Sequence, residues 1–201
     1  MVDALTPKLS PGNLRDVTPH DRLISLLAER SVRRGTFTLA SGKQSSVYVD
    51  ARLTTMSPEG LATIGPLGLE RIRAAGLDPD AVGGLTLGAD PVAYAIAYAS
   101  ALAGSPLRAF TVRKEAKIHG TGKLIEGPFT PGDRVVIIED VITTGGSALR
   151  AIDAVRAAGG IIIGVLAVVD REEGGQEALA AAGVPIVALA TASEVLSLVP
   201  S

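Results

Sequence analysis

Glu139 and Asp140 stand side by side where a run of β-branched residues ends, and Val141-Ile142-Thr143-Thr144-Gly145-Gly146-Ser147 follows at once. Two adjacent carboxylates are costly to desolvate together, so they need hydroxyls, a cation or water nearby. The vicinal hydroxyls of a ribose and a Mg²⁺-bound water are chemically suited. Glycines in the next turn let successive backbone N–H groups converge on one anion. The threonine and serine hydroxyls add donors, and a helix opening there adds a favourable dipole. Acids for a sugar beside a cradle for its phosphate describe a ribose-phosphate site. The plainer reading is a capped strand–turn–helix junction with solvated acids. Buried strand, acid pair and Thr-Thr-Gly-Gly-Ser in that order favour the site. Neither G-x-x-x-x-G-K-[ST] nor G-x-G-x-x-G occurs, so the ordinary P-loop and Rossmann readings lack their signatures.

A second cluster is basic: Arg113, Lys114, Lys117, His119 and Lys123 lie within eleven residues of a chain whose formal net charge is −2. Such a run neutralises charge growing on a departing polyanion. Gly120 and Gly122 would let it swing shut and exclude water. His119 can donate to a leaving group or move a proton near neutral pH. Composition alone favours a solvated charged loop, which is what most such runs are. Arg171 follows an apolar run and suits bidentate pairing with a carboxylate, or weak surface pairs with Asp170, Glu172 and Glu173. Gly88 permits close backbone approach to an anion, and Asp90 before Pro91 reads as a helix cap, a water-mediated metal contact, or both.

These residues need a scaffold, and the pattern supplies one. A helix opens at Thr18 or Pro19, with Leu23, Leu26 and Leu27 at helical spacing. Strands are predicted over 36–40 and 47–50 around a Ser41-Gly42-Lys43 turn. Pro58 starts a helix to about 75, 80–85 is a strand, and Asp90-Pro91 opens an alanine-rich helix to about 103. A strand over 107–112 runs into a loop over 113–127. Strands over 134–139 and 161–169 flank a helix to about 158, and a short helix, a strand near 185–190 and a last helix follow. The alternation predicts an α/β fold, a largely parallel sheet with helices on both faces. Ligands bind such sheets outside the carboxyl ends of the strands, which is where the residues above fall.

The chain of 201 residues suits a single domain with a sizeable core. We expect a flexible leader over 1–18 and one domain over 19–201, divided into a part at about 19–57 and a core at about 58–201. The near-neutral charge gives no global attraction to nucleic acid or membrane. No stretch approaches the roughly 20 apolar residues of a membrane span. The absence of cysteine excludes disulfides and thiolate chemistry. A cytoplasmic protein is the simplest account.

The segment Glu139-Asp-Val-Ile-Thr-Thr-Gly-Gly-Ser147 resembles the motif by which type I phosphoribosyltransferases bind phosphoribosyl diphosphate (PRPP). That resemblance implies that the acids hold the ribose hydroxyls and the turn holds the 5′-phosphate. The order R-K-x-x-K-x-H-G from Arg113 is similar to the mobile catalytic loop of orotate phosphoribosyltransferases. By that likeness Arg113, Lys114, Lys117 and His119 contact diphosphate, with Lys117 and His119 catalytic. The loop would cross a homodimer interface into the neighbouring site. Arg171, in Val-Val-Asp-Arg, would bind the orotate carboxylate, and Thr143 would lie near the base. The segment 37–52 resembles the family's hood, with Tyr48 as a candidate to stack on the base and Lys43 to reach diphosphate or base. Gly84-Leu-Thr-Leu-Gly-Ala-Asp-Pro91 matches the place of the diphosphate loop. Mg²⁺ would be held indirectly, through PRPP, with Asp90 or Asp140 touching it through water. The chain departs from many relatives in having Ala40 and Ala89 at lysine positions. The expected reaction joins orotate to PRPP, giving orotidine 5′-phosphate and diphosphate. Rivals are a purine phosphoribosyltransferase, which has no use for Arg171 as a carboxylate receptor, and a non-catalytic PRPP-binding regulator, which usually needs an added nucleic-acid module or a basic face.

Overall fold

The computed structural model describes residues 17–38, 44–115 and 123–200. The first helix, α1 (Pro19–Arg30), begins with a capping box in which Thr18 and Asp21 satisfy each other's backbone donors, and it buries Leu23, Ile24, Leu26 and Leu27. A two-stranded antiparallel sheet follows, β1 (Val32–Thr38) with β2 (Gln44–Val49). The expected strands at 36–40 and 47–50 thus begin earlier than hydrophobic alternation suggested. The reason is visible in β1: Arg33, Arg34, Gly35 and Thr36 are exposed, so no apolar period marks its start. The turn expected at 41–43 lies outside the described residues.

The remaining elements are α2 (Arg52–Thr55), α3 (Pro58–Ala74), β3 (Ala81–Leu85), α4 (Ala89–Leu102), β4 (Arg108–Val112), β5 (Ile125–Glu126), β6 (Arg134–Ile142), α5 (Gly146–Ala157), β7 (Ile161–Asp170), α6 (Gly175–Ala181), β8 (Ile186–Thr191) and α7 (Ala192–Ser197). Six strands form one sheet in the order β5-β4-β3-β6-β7-β8. All neighbours are parallel except β4 with β5. The short β5 sits inside the segment read as a loop over 113–127. Its backbone pairing, with Arg113 N–H donating to Leu124 O at 2.8 Å, closes the base of the basic segment.

Continuous apolar strands such as β3 and β6 are buried on both faces. One cluster joins Leu23, Ile64, Ile96, Val136, Ile138 and Leu166, seating α1, α3 and α4 on one side. The other joins Ile137, Val165, Ile152 and Leu179, seating α5 and α6 opposite. Strand order reverses between β3 and β6, because β3 leads outward to β4 while β6 leads to β7 and β8. A crevice opens at such a switch point, beyond the carboxyl ends of the strands. No helix among the described residues is long and apolar enough to cross a membrane.

Candidate active site

Glu139 and Asp140 lie within β6, which continues to Ile142 through pairing of Val141 with Val169 and Ile142 with Asp170. The strand therefore does not stop at the acids, as the sequence suggested; β7 extends the ladder past them. Successive strand residues face opposite sides, so Glu139 follows Val135 and Ile137 while Asp140 follows Val136 and Ile138. The two carboxyls sit on either side of the strand end rather than abreast. Glu139 is 6% exposed, and burial, reinforced by the charge of Asp140 and opposed by Arg150, pushes its carboxyl up to about 8. Asp140 is also raised by burial, against which a hydrogen bond from Val141 N–H at 2.9 Å and the nearby Arg52 act. The free protein thus holds a protonated Glu139 at neutral pH. Donors from a ligand would draw that group into its ionised form.

Beyond Ile142 the chain turns through Thr143, Thr144 and Gly145 into α5. Gly145 adopts φ 81°, a left-handed conformation open to glycine, and no side chain caps the helix. Among the described residues, the amides of Thr144 and Gly145 donate to no protein acceptor. Gly146 and Ser147 belong to the first turn, whose N–H groups have no intrahelical partner. Four consecutive donors at a helix N-terminus form an anion site by geometry alone. Arg150 adds a cation there, its guanidinium 3.4 Å from Ser147 Oγ.

Across the crevice, the loop after β3 closes on Asp140. A Cβ built on Gly88 would lie 2.4 Å from the Asp140 carboxyl, so only glycine lets the two segments touch. Gly88, not Asp90, occupies the N-cap of α4. Asp90 instead lies inside the first turn, 8% exposed, accepting from Thr86 Oγ1 at 2.7 Å and Thr111 Oγ1 at 2.8 Å. The capping role expected for it is replaced by this pair of threonine contacts.

Arg171 follows β7 with its N–H donating to Ile142 O at 2.9 Å, which sets it beside Thr143. Its side chain is only 12% exposed and pairs with Glu173 at 2.6 Å. Of the plainer reading, the pair with Glu173 is present, but the arginine that makes it is largely buried instead of exposed. On the small sheet, Tyr48 is 43% exposed and its ring lies 5.5 Å from that of Phe37. Arg52 grips Asp50 with two hydrogen bonds of 2.8 and 2.9 Å and lies within electrostatic reach of Asp140 and Tyr48. Arg113 is anchored 3.6 Å from Glu126, and Lys114 is exposed. Lys117, His119, Lys43 and Ala40 lie outside the described residues.

The structure thus brings Glu139, Asp140, the 143–147 turn, Gly88 and Arg171 to one edge of the sheet. Sequence reasoning missed Arg52, Arg150, Thr86 and Thr111. Arg150 had a detectable signal, lying one helical turn past the Gly-Gly-Ser turn. Thr111 had none, because its contact with Asp90 joins segments 21 residues apart, while Thr86 lies only four residues before Asp90, inside the loop already singled out.

Residues 56–183 match the phosphoribosyl transferase domain family, which places the fold and the β6–α5 turn in a class of pentosyltransferases. The chain is 48% identical to orotate phosphoribosyltransferase of Aquifex aeolicus over 88% of this chain and 97% of that one. It superposes with a TM-score of 0.78 on the Mycobacterium tuberculosis orotate phosphoribosyltransferase in complex with Fe(III) dicitrate, at 44% identity over 89% and 99% of the two chains. The same M. tuberculosis enzyme in complex with PRPP gives a TM-score of 0.74 at 42% identity, over 89% and 99%. The chain belongs to the orotate phosphoribosyltransferase family.

Proposed function

We propose that this protein transfers the 5-phosphoribosyl group of PRPP to orotate, giving orotidine 5′-phosphate and diphosphate for pyrimidine (UMP) synthesis. The observation that carries the reading is the row of unpartnered amides at Thr144 and Gly145, opening a helix N-terminus beside the buried acids of β6. The amides through Ser147 hold the 5′-phosphate. Glu139 and Asp140 accept from the ribose hydroxyls, one from each side of the strand. Arg171 exchanges Glu173 for the orotate carboxylate, Thr143 meets the base, and Tyr48 stacks on it. Arg113, Lys114, Lys117 and His119 surround diphosphate. As the bond from ribose C1 to the diphosphate oxygen breaks, its electron pair leaves with diphosphate, and a ring nitrogen of orotate bonds to C1 while its N–H proton passes to the departing diphosphate or to water. Lys117 and His119 act on the charge of the leaving group. The carboxylates at the ribose offset positive charge growing on the sugar.

The described residues contain no cluster of three metal-binding groups. Two hard carboxylates at a diphosphate site still fit Mg²⁺ held mainly by its substrate. Asp140 is the nearer candidate for a contact through water, since both Asp90 oxygens already accept from threonines. Mg²⁺ would supply charge neutralisation on the diphosphate.

We also propose a homodimer in which the basic loop serves the partner's site. Support comes from an open apolar groove of about 1340 Å³ between α3 and α4, where Tyr94, Tyr98 and Leu102 are 52%, 68% and 73% exposed.

A Mg²⁺-dependent assay of orotate consumption with PRPP tests the reaction, alongside a panel of purine bases. Orotate-dependent diphosphate release is expected. Turnover of a purine in its place, or no release at all, would overturn the reading.

A further inference from the structure

The loop between β3 and α4, Thr86-Leu87-Gly88, carries no cationic side chain, and Ala89 after it adds none. Whatever it offers an anion must come from its backbone, so its shape decides its worth. That shape is held from one side. Thr86 N–H donates to Val112 O at 2.8 Å, and Asp90 N–H reaches back to Leu87 O at 3.3 Å. The Asp90 carboxylate then fixes the side chains: Thr86 Oγ1 donates to Oδ2 at 2.7 Å and Thr111 Oγ1 to Oδ1 at 2.8 Å. A hydroxyl has one hydrogen. Thr111 gives its hydrogen to Asp90, so the 2.8 Å contact with Tyr94 must run from the tyrosine hydroxyl into Thr111. The result is a directed chain, Tyr94 to Thr111 to Asp90, closed from the other side by Thr86. It connects the mouth of the α3/α4 groove to the loop that presses Gly88 against Asp140.

Resting on the proposed transfer reaction, we propose that Asp90 is a positioning residue. It acts through Thr86 and Thr111 to hold the 86–88 backbone in the form that receives the diphosphate end of PRPP. Tyr94 is the outer member of the same network. Asp90 itself touches neither the sugar nor the base in this assignment.

The test compares Asp90→Asn, Thr111→Val, Thr111→Ser and Tyr94→Phe with the wild-type full chain. Steady-state kinetics for both substrates, titration calorimetry with magnesium diphosphate, and Tm are measured for each. Asp90→Asn and Thr111→Val each leave one buried polar partner unmatched, so the KM for PRPP is expected to rise about ten-fold or more. Affinity for diphosphate should fall in parallel, with the KM for orotate within about two-fold of wild type. Thr111→Ser restores the hydroxyl and should return both values toward wild type; Tyr94→Phe should give a smaller change of the same kind. Unchanged PRPP and diphosphate binding in Asp90→Asn would overturn the proposal. So would equal losses for PRPP and orotate accompanied by a lowered Tm, or failure of Thr111→Ser to differ from Thr111→Val. A wild-type chain that binds magnesium diphosphate but transfers nothing to orotate would instead defeat the functional reading. The calorimetric comparison would then still judge Asp90.

Discussion

Glu139 shows how a single group can carry both a cost and a purpose. Its carboxyl is raised from 4.5 to about 8 in the folded chain. Between those values the native state binds the extra proton, so stability falls as pH rises and is lowest above about 8. The displacement corresponds to on the order of 5 kcal/mol in full. Glu139→Gln is therefore expected to raise Tm at pH 8.5 and to leave it nearly unchanged at pH 4.5, while abolishing most transfer activity; thermal unfolding at the two pH values checks it. In Arg171→Ala the KM for orotate should rise roughly 10- to 100-fold through loss of a charged contact, with the KM for PRPP little altered. Lys117→Ala should lower kcat on the order of 100-fold or more, because the leaving group loses a cation that matters most at the transition state. The acid-and-turn motif exposed Glu139, and the family resemblance pointed to Arg171 and Lys117. Neither exposed Arg52 or Arg150, whose roles depend on which carboxyl each one faces after folding.

At the scale of elements, the site is two turns pressed together. The loop after β3 meets the end of β6 through Gly88, whose substitution would place a carbon 2.4 Å from the Asp140 carboxyl. Gly88→Ala needs no unusual backbone angle, since φ is −63°. It should fold and still misplace the acid, lowering kcat/KM for PRPP on the order of 100-fold; circular dichroism and kinetics on the same sample separate the two effects. Apolar runs and helix caps made most of the sheet and its helices legible, and the α/β class and the family resemblance are borne out. What was not legible was local pairing. The two-residue β5 is too short for any period to register, and the polar start of β1 has no buried face to announce it. The acid pair hid the extension of β6 to Ile142, where Val141 and Ile142 pair with β7.

At the scale of the molecule, the proposed assembly makes two demands. Mixing Lys117→Ala with Arg171→Ala should form heterodimers with one intact site each, recovering about a quarter of wild-type activity after random exchange. Recovery no greater than the sum of the two parents, in heterodimers verified by mass, would argue against a shared loop. Tyr98→Glu should shift sedimentation toward the monomer by placing charge in the apolar groove. That groove rests on an unusually close meeting of α3 and α4, where a Cβ on Gly65 would come within 2.6 Å of Ala95 O and one on Gly68 within 2.9 Å of Ile96 Cδ1. With backbone against backbone, the pair presents a plate instead of two cylinders able to breathe apart. A second copy docking there has little main-chain freedom left to quench, and the ordering entropy falls mainly on tips such as Tyr98 and Leu102, at about 0.5–1.5 kcal/mol per side chain.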